Sequence, residues 1–261
     1  MTDWRGRVCL VTGASRGVGR AIAVALGARG ATVVVNYRRQ AEAAAETVRA
    51  LEAAGGRAFA IAADVADPAA LDALFAEVRE REGHLDVLIH NAAASSFKPI
   101  LETHRGNLDK SLAISYHALF ELLQRAVPLM TGGGNFLAIS GWDAHAIVDG
   151  HGLLASLKAA TETFVAYAGA ELAAQGIVSI GLAPGVVETD SFAAYEAAQP
   201  GRIAQWRELA PFGRFARAEE IAEIAVFLCS REALWINGRT VLADGGHALM
   251  TSPVAAGRSD G

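Results

Sequence analysis

The sequence predicts an α/β fold, a single doubly wound parallel sheet with helices on both faces. Three observations predict it. Short apolar runs rich in β-branched residues alternate with longer segments of helical period along the chain. A glycine-rich turn joins the first apolar run to the first helical stripe. No linker, composition shift or internal repeat divides the 261 residues, a length that suits one α/β domain. Alternation of this kind implies parallel strands joined by crossover helices.

Taken in order, Val8-Cys9-Leu10-Val11 reads as a buried strand, and Val18, Ala21, Ile22, Ala25 and Leu26 fall on one helical face. Strand 32–36 precedes helix 41–54, which Gly55-Gly56 ends. Strand 58–62 precedes a stripe of Leu71, Leu74, Phe75 and Val78. Strand 86–90 follows, then one long helix through much of 107–130, closed by Gly132-Gly133-Gly134. Strand 135–140, helix 153–174, strand 177–182, helix 218–230 and strand 240–243 complete the series. Residues 1–250 are thus read as one domain and the small, polar 251–261 as a flexible tail. Segment 188–214 breaks the rhythm. It intersperses Phe192, Tyr195, Trp206 and Phe212 with Pro200, Gly201 and Pro211. A long insertion with exposed aromatics suggests a substrate lid, and a short helix packed on the sheet edge is the alternative.

Composition narrows the function. Apolar residues make up 52% and charged residues 20%, with a net charge of −5, which argues against nucleic acid as the main partner. Cys9 and Cys229 have neither metal-ligand spacing nor the numbers for a disulfide framework. No run reaches membrane-spanning length, and Met1–Arg5 leads into no apolar stretch. The expectation is a cytoplasmic protein without metal, nucleic-acid or membrane partners.

The turn Thr12-Gly13-Ala14-Ser15-Arg16-Gly17-Val18-Gly19 carries the first chemistry. Glycines between a strand and a helix let backbone approach a pyrophosphate, whose charge the helix N-terminus favours. Further along stand Asp64-Val65, Asn91-Ala92-Ala93, Pro184-Gly185 with Val187 and Thr189 beyond, and Asp244-Gly245-Gly246. With these motifs the chain resembles the short-chain dehydrogenases/reductases along nearly its whole length. His90 and Ala93 depart from that family's Asn-Asn-Ala-Gly segment. The resemblance implies a Rossmann-type sheet and a nicotinamide dinucleotide. It assigns cofactor contacts to Gly13, Ser15, Arg16, Gly17, Val18, Gly19, Asp64, Val65, Asn91, Ala92, Pro184, Gly185, Val187 and Thr189. The end of the second strand, Asn36-Tyr37-Arg38-Arg39, lacks the acid that holds an NAD ribose, and Asn36, Tyr37 and Arg38 are expected at the cofactor. Arg16 and Arg38 suit a 2′-phosphate instead, so NADP(H) is favoured over NAD(H). In the alternative, Arg38 and Arg39 are solvated surface charges and NAD is accepted.

The resemblance fails at the catalytic positions. Relatives use a tyrosine, a lysine four residues on, a serine and an asparagine. The lysine falls on Lys158, to which the resemblance assigns the nicotinamide ribose. The tyrosine falls on Leu154, the serine on Gly141 beside Ser140, and the asparagine on Ser115. Leu154 has no proton to give. His151 stands seven residues before Lys158, so 151, 154, 155 and 158 share one helical stripe. Enoyl-acyl-carrier-protein reductases of the superfamily space tyrosine and lysine by six intervening residues, and His151-x₆-Lys158 occupies that wider spacing. A histidine can donate a proton near neutral pH. In the alternative, Gly150-His151-Gly152 is a flexible, solvent-exposed loop. Asp143 and His145, after the fifth strand, are further candidates, and Ser140 can hydrogen-bond a substrate oxygen.

The resulting expectation is an NADP(H)-binding oxidoreductase with a non-standard proton donor. It would reduce a carbonyl or enoyl group of an acyl or polyketide-like substrate, free or carrier-bound. A non-redox enzyme of the same fold and an inactive cofactor-binding subunit stand as alternatives. A homodimer or homotetramer is expected on family grounds, with Phe120, Leu123, Phe164 and Tyr167 available for packing.

Overall fold

The computed structural model describes residues 2–94, 96–189, 192, 195–197 and 200–250. Seven parallel strands form one sheet in the order β3-β2-β1-β4-β5-β6-β7. These are β1 (Val8–Val11), β2 (Thr32–Tyr37), β3 (Arg57–Ala62), β4 (Val87–His90), β5 (Gly134–Ile139), β6 (Ile177–Pro184) and β7 (Thr240–Ala243). The order reverses between β1 and β4, which opens a crevice at the carboxyl ends of those strands. The fold class read from the sequence is the one observed.

The helices follow the apolar stripes. They are α1 (Gly17–Gly27), α2 (Ala41–Ala53), α3 (Pro68–Glu82), α4 (Arg105–Leu112), α5 (Ala118–Ala126), α6 (Gly152–Leu172), α7 (Arg202–Leu209) and α8 (Ala218–Leu228). Each sheet face buries its own apolar layer. Val11, Ile89, Leu137 and Ile180 meet α1 and α8 residues such as Ile22 and Ile221 on one side. Leu10, Leu88, Phe136 and Ala138 meet Leu74, Leu119 and Val165 on the other. Local signals set the ends: Asp67 caps α3 by accepting from the Ala69 N–H, Pro68 opens it, and Gly83 closes it at φ +76.

Two expectations change. The single helix through 107–130 is α4 and α5 joined by a π-helical turn, Ala113–His117, and it ends in a 3₁₀ turn, Val127–Leu129. Ser115 lies inside the π turn, a distortion that an apolar stripe read at ordinary helical period does not reveal. In the 188–214 segment the aromatics do not all face solvent: Tyr195 is buried, Trp206 is half-buried, and Phe212 is exposed. The first two are covered because they pack on one another and on His151. The tail at 251–261 lies outside the described residues. Among the described residues, no helix is long and apolar enough to cross a membrane, and no cluster of side chains could hold a metal ion.

Candidate active site

The glycine turn is built for close approach. Gly13 and Gly17 adopt φ +64 and +56, a region that disfavours other residues. A Cβ on Gly19 would stand 2.6 Å from the Gly13 carbonyl oxygen, so only glycine lets α1 begin against the turn. Ser15 is buried behind it, and Arg16 and Val18 flank the first helical turn. Asn91 ties the end of β4 to this turn, its amide donating to the carbonyls of Thr12 at 2.9 Å and Gly13 at 3.3 Å. The backbone N–H groups of Asn91 and Ala92 both donate to Thr12 Oγ1. Across the crevice, Gly17 faces Thr189. Gly185 packs against Asp244, and Val187 bridges to Ala216. Pro184 ends β6. The glycine-lined turn, where the N-terminus of α1 leaves backbone N–H groups without intrahelical partners, fits a dinucleotide pyrophosphate.

At the adenosine end, Arg38 Nη1 lies 3.6 Å from Asp64 Oδ2, both partly exposed. Val65 is buried beside them, and Tyr37 is half-buried at the end of β2. Asn36 has its side-chain N–H groups committed elsewhere, donating to the carbonyls of Ala63 at 3.1 Å and Ile61 at 3.4 Å. It clamps β2 to β3 and presents no free amide N–H to a ligand.

The catalytic candidates converge around the loop between β5 and α6. Asp143 sits in a 3₁₀ turn (Trp142–Ala144), buried, and its Oδ2 lies 3.0 Å from His151 Nδ1. The side chains are 4% and 12% exposed, so the pair is shielded from water. A Cβ on Gly141 would overlap Asp143 Oδ1. Loss of a side chain at 141 therefore makes the space that the Asp143 carboxylate occupies. His151 is the residue just before α6 and is caged by rings. Phe97 lies 4.9 Å from it, Tyr195 5.1 Å and Trp206 6.4 Å, centroid to centroid. His151 Nε2 is buried with no hydrogen-bond partner among the described residues.

Lys158 is buried one turn beyond Leu154 and donates from Nζ to the Ile139 carbonyl at 2.7 Å. Burial lowers its pKa, and the carboxylates of Asp143 and Glu162 oppose that shift. Ser140 and His145 do not join the Asp143–His151 pair. Glu162 accepts from Ser140 Oγ at 2.6 Å and lies 3.0 Å from His145 Nε2. Ser140, buried, and His145, more exposed, thus form a second group around Glu162. Glu162 escaped the sequence reading, although its place four residues after Lys158 puts it on the same helix face.

The rings continue outward from His151. Tyr195 and Trp206 stack at 4.7 Å, Trp206 meets Trp142 edge-on at 5.8 Å, and Trp142 stacks on His247 at 4.9 Å. His247, whose pKa burial lowers, also lines a cavity of about 290 Å³ with Phe212, Arg214 and Phe215. The loop before His151 is latched to the 188–214 segment. Arg202 pairs with the Asp149 carboxylate, and the Tyr195 hydroxyl donates to the Asp149 carbonyl at 3.4 Å.

Comparison with known proteins agrees with the fold. A family model described as enoyl-(acyl carrier protein) reductase matches residues 13–248. The 1-cyclohexenylcarbonyl-CoA reductase of Streptomyces collinus is 38% identical, over 97% of this chain and 90% of its own. Versicolorin reductase 1 of Aspergillus parasiticus is 35% identical, over 92% and 96%. A short-chain dehydrogenase from Burkholderia cenocepacia, solved with NADP, superposes with a TM-score of 0.87 at 31% identity, over 94% and 99%. The chain belongs to the short-chain dehydrogenase/reductase family.

Proposed function

We propose that the protein is an NADP(H)-dependent reductase of the conjugated double bond in an enoyl thioester, with His151 as proton donor oriented by Asp143. The observation that carries this reading is the buried 3.0 Å pair of His151 Nδ1 and Asp143 Oδ2 in a site where residue 154 is leucine. The carboxylate fixes the ring with a proton on Nδ1, as buried carboxylates orient histidines elsewhere. Nε2 is left buried without a partner among the described residues, and in the doubly protonated ring it is the donor.

A dihydronicotinamide held by the glycine turn and Lys158 would supply the hydride that the β-carbon takes up. The chain's own residues do the rest. The carbon–carbon π bond opens, the charge spreads into the thioester enolate, and His151 delivers a proton from Nε2 to the α-carbon. Lys158 contributes a buried positive charge beside the cofactor ribose, the role the family gives it. The aromatic lid excludes water. A ketone would place full charge on an alkoxide oxygen and call for an acid at that oxygen, where Leu154 has none. The delocalised enolate tolerates protonation from another direction, which favours the enoyl substrate.

Support for the substrate class comes from the Streptomyces relative, whose name specifies a conjugated acyl-CoA. Support for NADP(H) comes from Arg38 at the end of β2, the lack of an acid there, and the NADP-containing Burkholderia structure. The groove formed by Tyr116, Phe120, Phe164 and Tyr167 on α5, α6 and the π turn supports self-association, which sedimentation would test. For the function itself, the test is NADPH consumption with 1-cyclohexenylcarbonyl-CoA and the acyl product identified by mass. A saturated thioester, and its loss in His151→Ala, is the expected result. A protein that turns over no NADPH with enoyl or keto thioesters contradicts the proposal.

A further inference from the structure

His90 is a buried polar residue for which the reaction above has no use. It ends β4 beside Ala138 of β5, the residue before the one whose carbonyl receives Lys158 Nζ. Alternation along β4 puts Val87 and Ile89 against the α1–α8 layer. Leu88 and His90 therefore face the other layer, which carries the π turn and α6. His90 is 3% exposed. One ring nitrogen, Nδ1, is buried with no partner among the described residues. The Ser115 backbone, inside the π turn, is a hydrogen-bond partner of the ring. A buried lone pair without a donor costs free energy, so its retention beside a buried ammonium calls for an explanation. Lys158 has three N–H donors and gives one to Ile139.

We propose that His90 is a positioning residue for Lys158: with its proton on Nε2 toward the Ser115 carbonyl, it offers the Nδ1 lone pair to the lysine ammonium through one water, and so holds that charge ready for the cofactor. The neutral ring this needs is the form burial selects, since burial first and Lys158 second push the His90 pKa down to about 3. The inference concerns cofactor binding and rests on the NADP(H) part of the proposed function, not on the identity of the acyl substrate.

The test is the NADPH dissociation constant, read by nucleotide fluorescence, in variants made in two backgrounds. His90→Leu removes the acceptor and is expected to weaken NADPH about tenfold, as for a lost hydrogen bond to a charge. Asparagine places an oxygen near the Nδ1 position and glutamine near Nε2. His90→Asn is therefore expected to retain affinity and His90→Gln to lose it. In a Lys158→Met background, His90→Leu should cause no further loss, because its partner is gone. An equal loss in both backgrounds, or equal affinities of the asparagine and glutamine variants, would overturn the assignment. The second comparison stands even where the leucine variant does not fold. Wild-type protein that binds no NADPH would instead overturn the cofactor reading, a distinct result.

Discussion

His151 and Asp143 form a buried ion-pair geometry, Nδ1 to Oδ2 at 3.0 Å, across an eight-residue loop that ends at the start of α6. The ring is held on both sides, by the carboxylate and by Phe97, Tyr195 and Trp206. Asp143→Asn keeps the shape but alters what Nδ1 meets. We expect its turnover to fall, with His151→Ala falling further, by about 10²–10⁴-fold for a lost acid–base group. Affinity for NADPH should stay within severalfold in both. Single-turnover kinetics beside a fluorescence titration separate the two effects, and unchanged turnover in His151→Ala removes it from the chemistry.

A side chain at position 141 and the Asp143 carboxylate are sterically exclusive. Because a Cβ at 141 overlaps Asp143 Oδ1, restoring the family serine does not restore the family site. Gly141→Ser should displace the carboxylate, lower turnover, and destabilise the fold by about 1–3 kcal/mol, the usual cost of overpacking. Adding Asp143→Ala should recover the stability without recovering turnover. Thermal melts and rates of the single and double variants decide it. Additive destabilisation would show that the two positions do not share the space.

Trp206 links the 188–214 segment, the lid of our proposal, to the site through Tyr195, Trp142 and His151. Trp206→Ala removes ring contacts worth about 0.5–1.5 kcal/mol each. The substrate KM should rise by about threefold to tenfold while NADPH affinity holds. A parallel loss of NADPH affinity would show that the lid organises the nucleotide cradle instead.

The strands, the glycine turn and the order of the helices were legible because each depends on local period and turn chemistry. The departure at Leu154 and the candidacy of His151 and Asp143 were legible as residues, but their pairing was not. That pairing depends on the path of the 142–151 loop and on the room left by Gly141, which are tertiary facts. Ser140 and His145 were legible as candidates, but their shared partner Glu162 on α6 was not. Asn36 was expected at the cofactor, but its amide donates to two β3-side carbonyls. His90 is the opposite case: it stood out only as a motif departure, and its isolation between Lys158 and the π turn is visible only once the layers are packed.

Arg38, at the end of β2 with Asp64 at 3.6 Å, is the cation we propose reads a 2′-phosphate. Arg38→Ala should weaken NADPH about tenfold, as for a charge-assisted hydrogen bond, and leave NADH nearly unchanged. Titrating both nucleotides against both proteins measures the ratio. Equal losses for the two would place Arg38 outside 2′-phosphate recognition.

His90 also ties folding to pH. Its pKa falls from 6.5 to about 3 on burial, so between those values the unfolded chain binds a proton that the folded one does not. Stability then rises with pH across this window, is complete above about 6.5, and is lost as pH falls toward 3. The slope approaches about 1.4 kcal/mol per pH unit for one such group. Carboxylates add their own slope at the acid end, so the wild type and His90→Asn should be compared between about pH 5 and 6.5, above the usual carboxylate range. Urea denaturation at intervals through that range should show a steeper decline in the wild type, and the difference between the two curves isolates His90. Parallel curves would mean that the ring takes up its proton inside the fold.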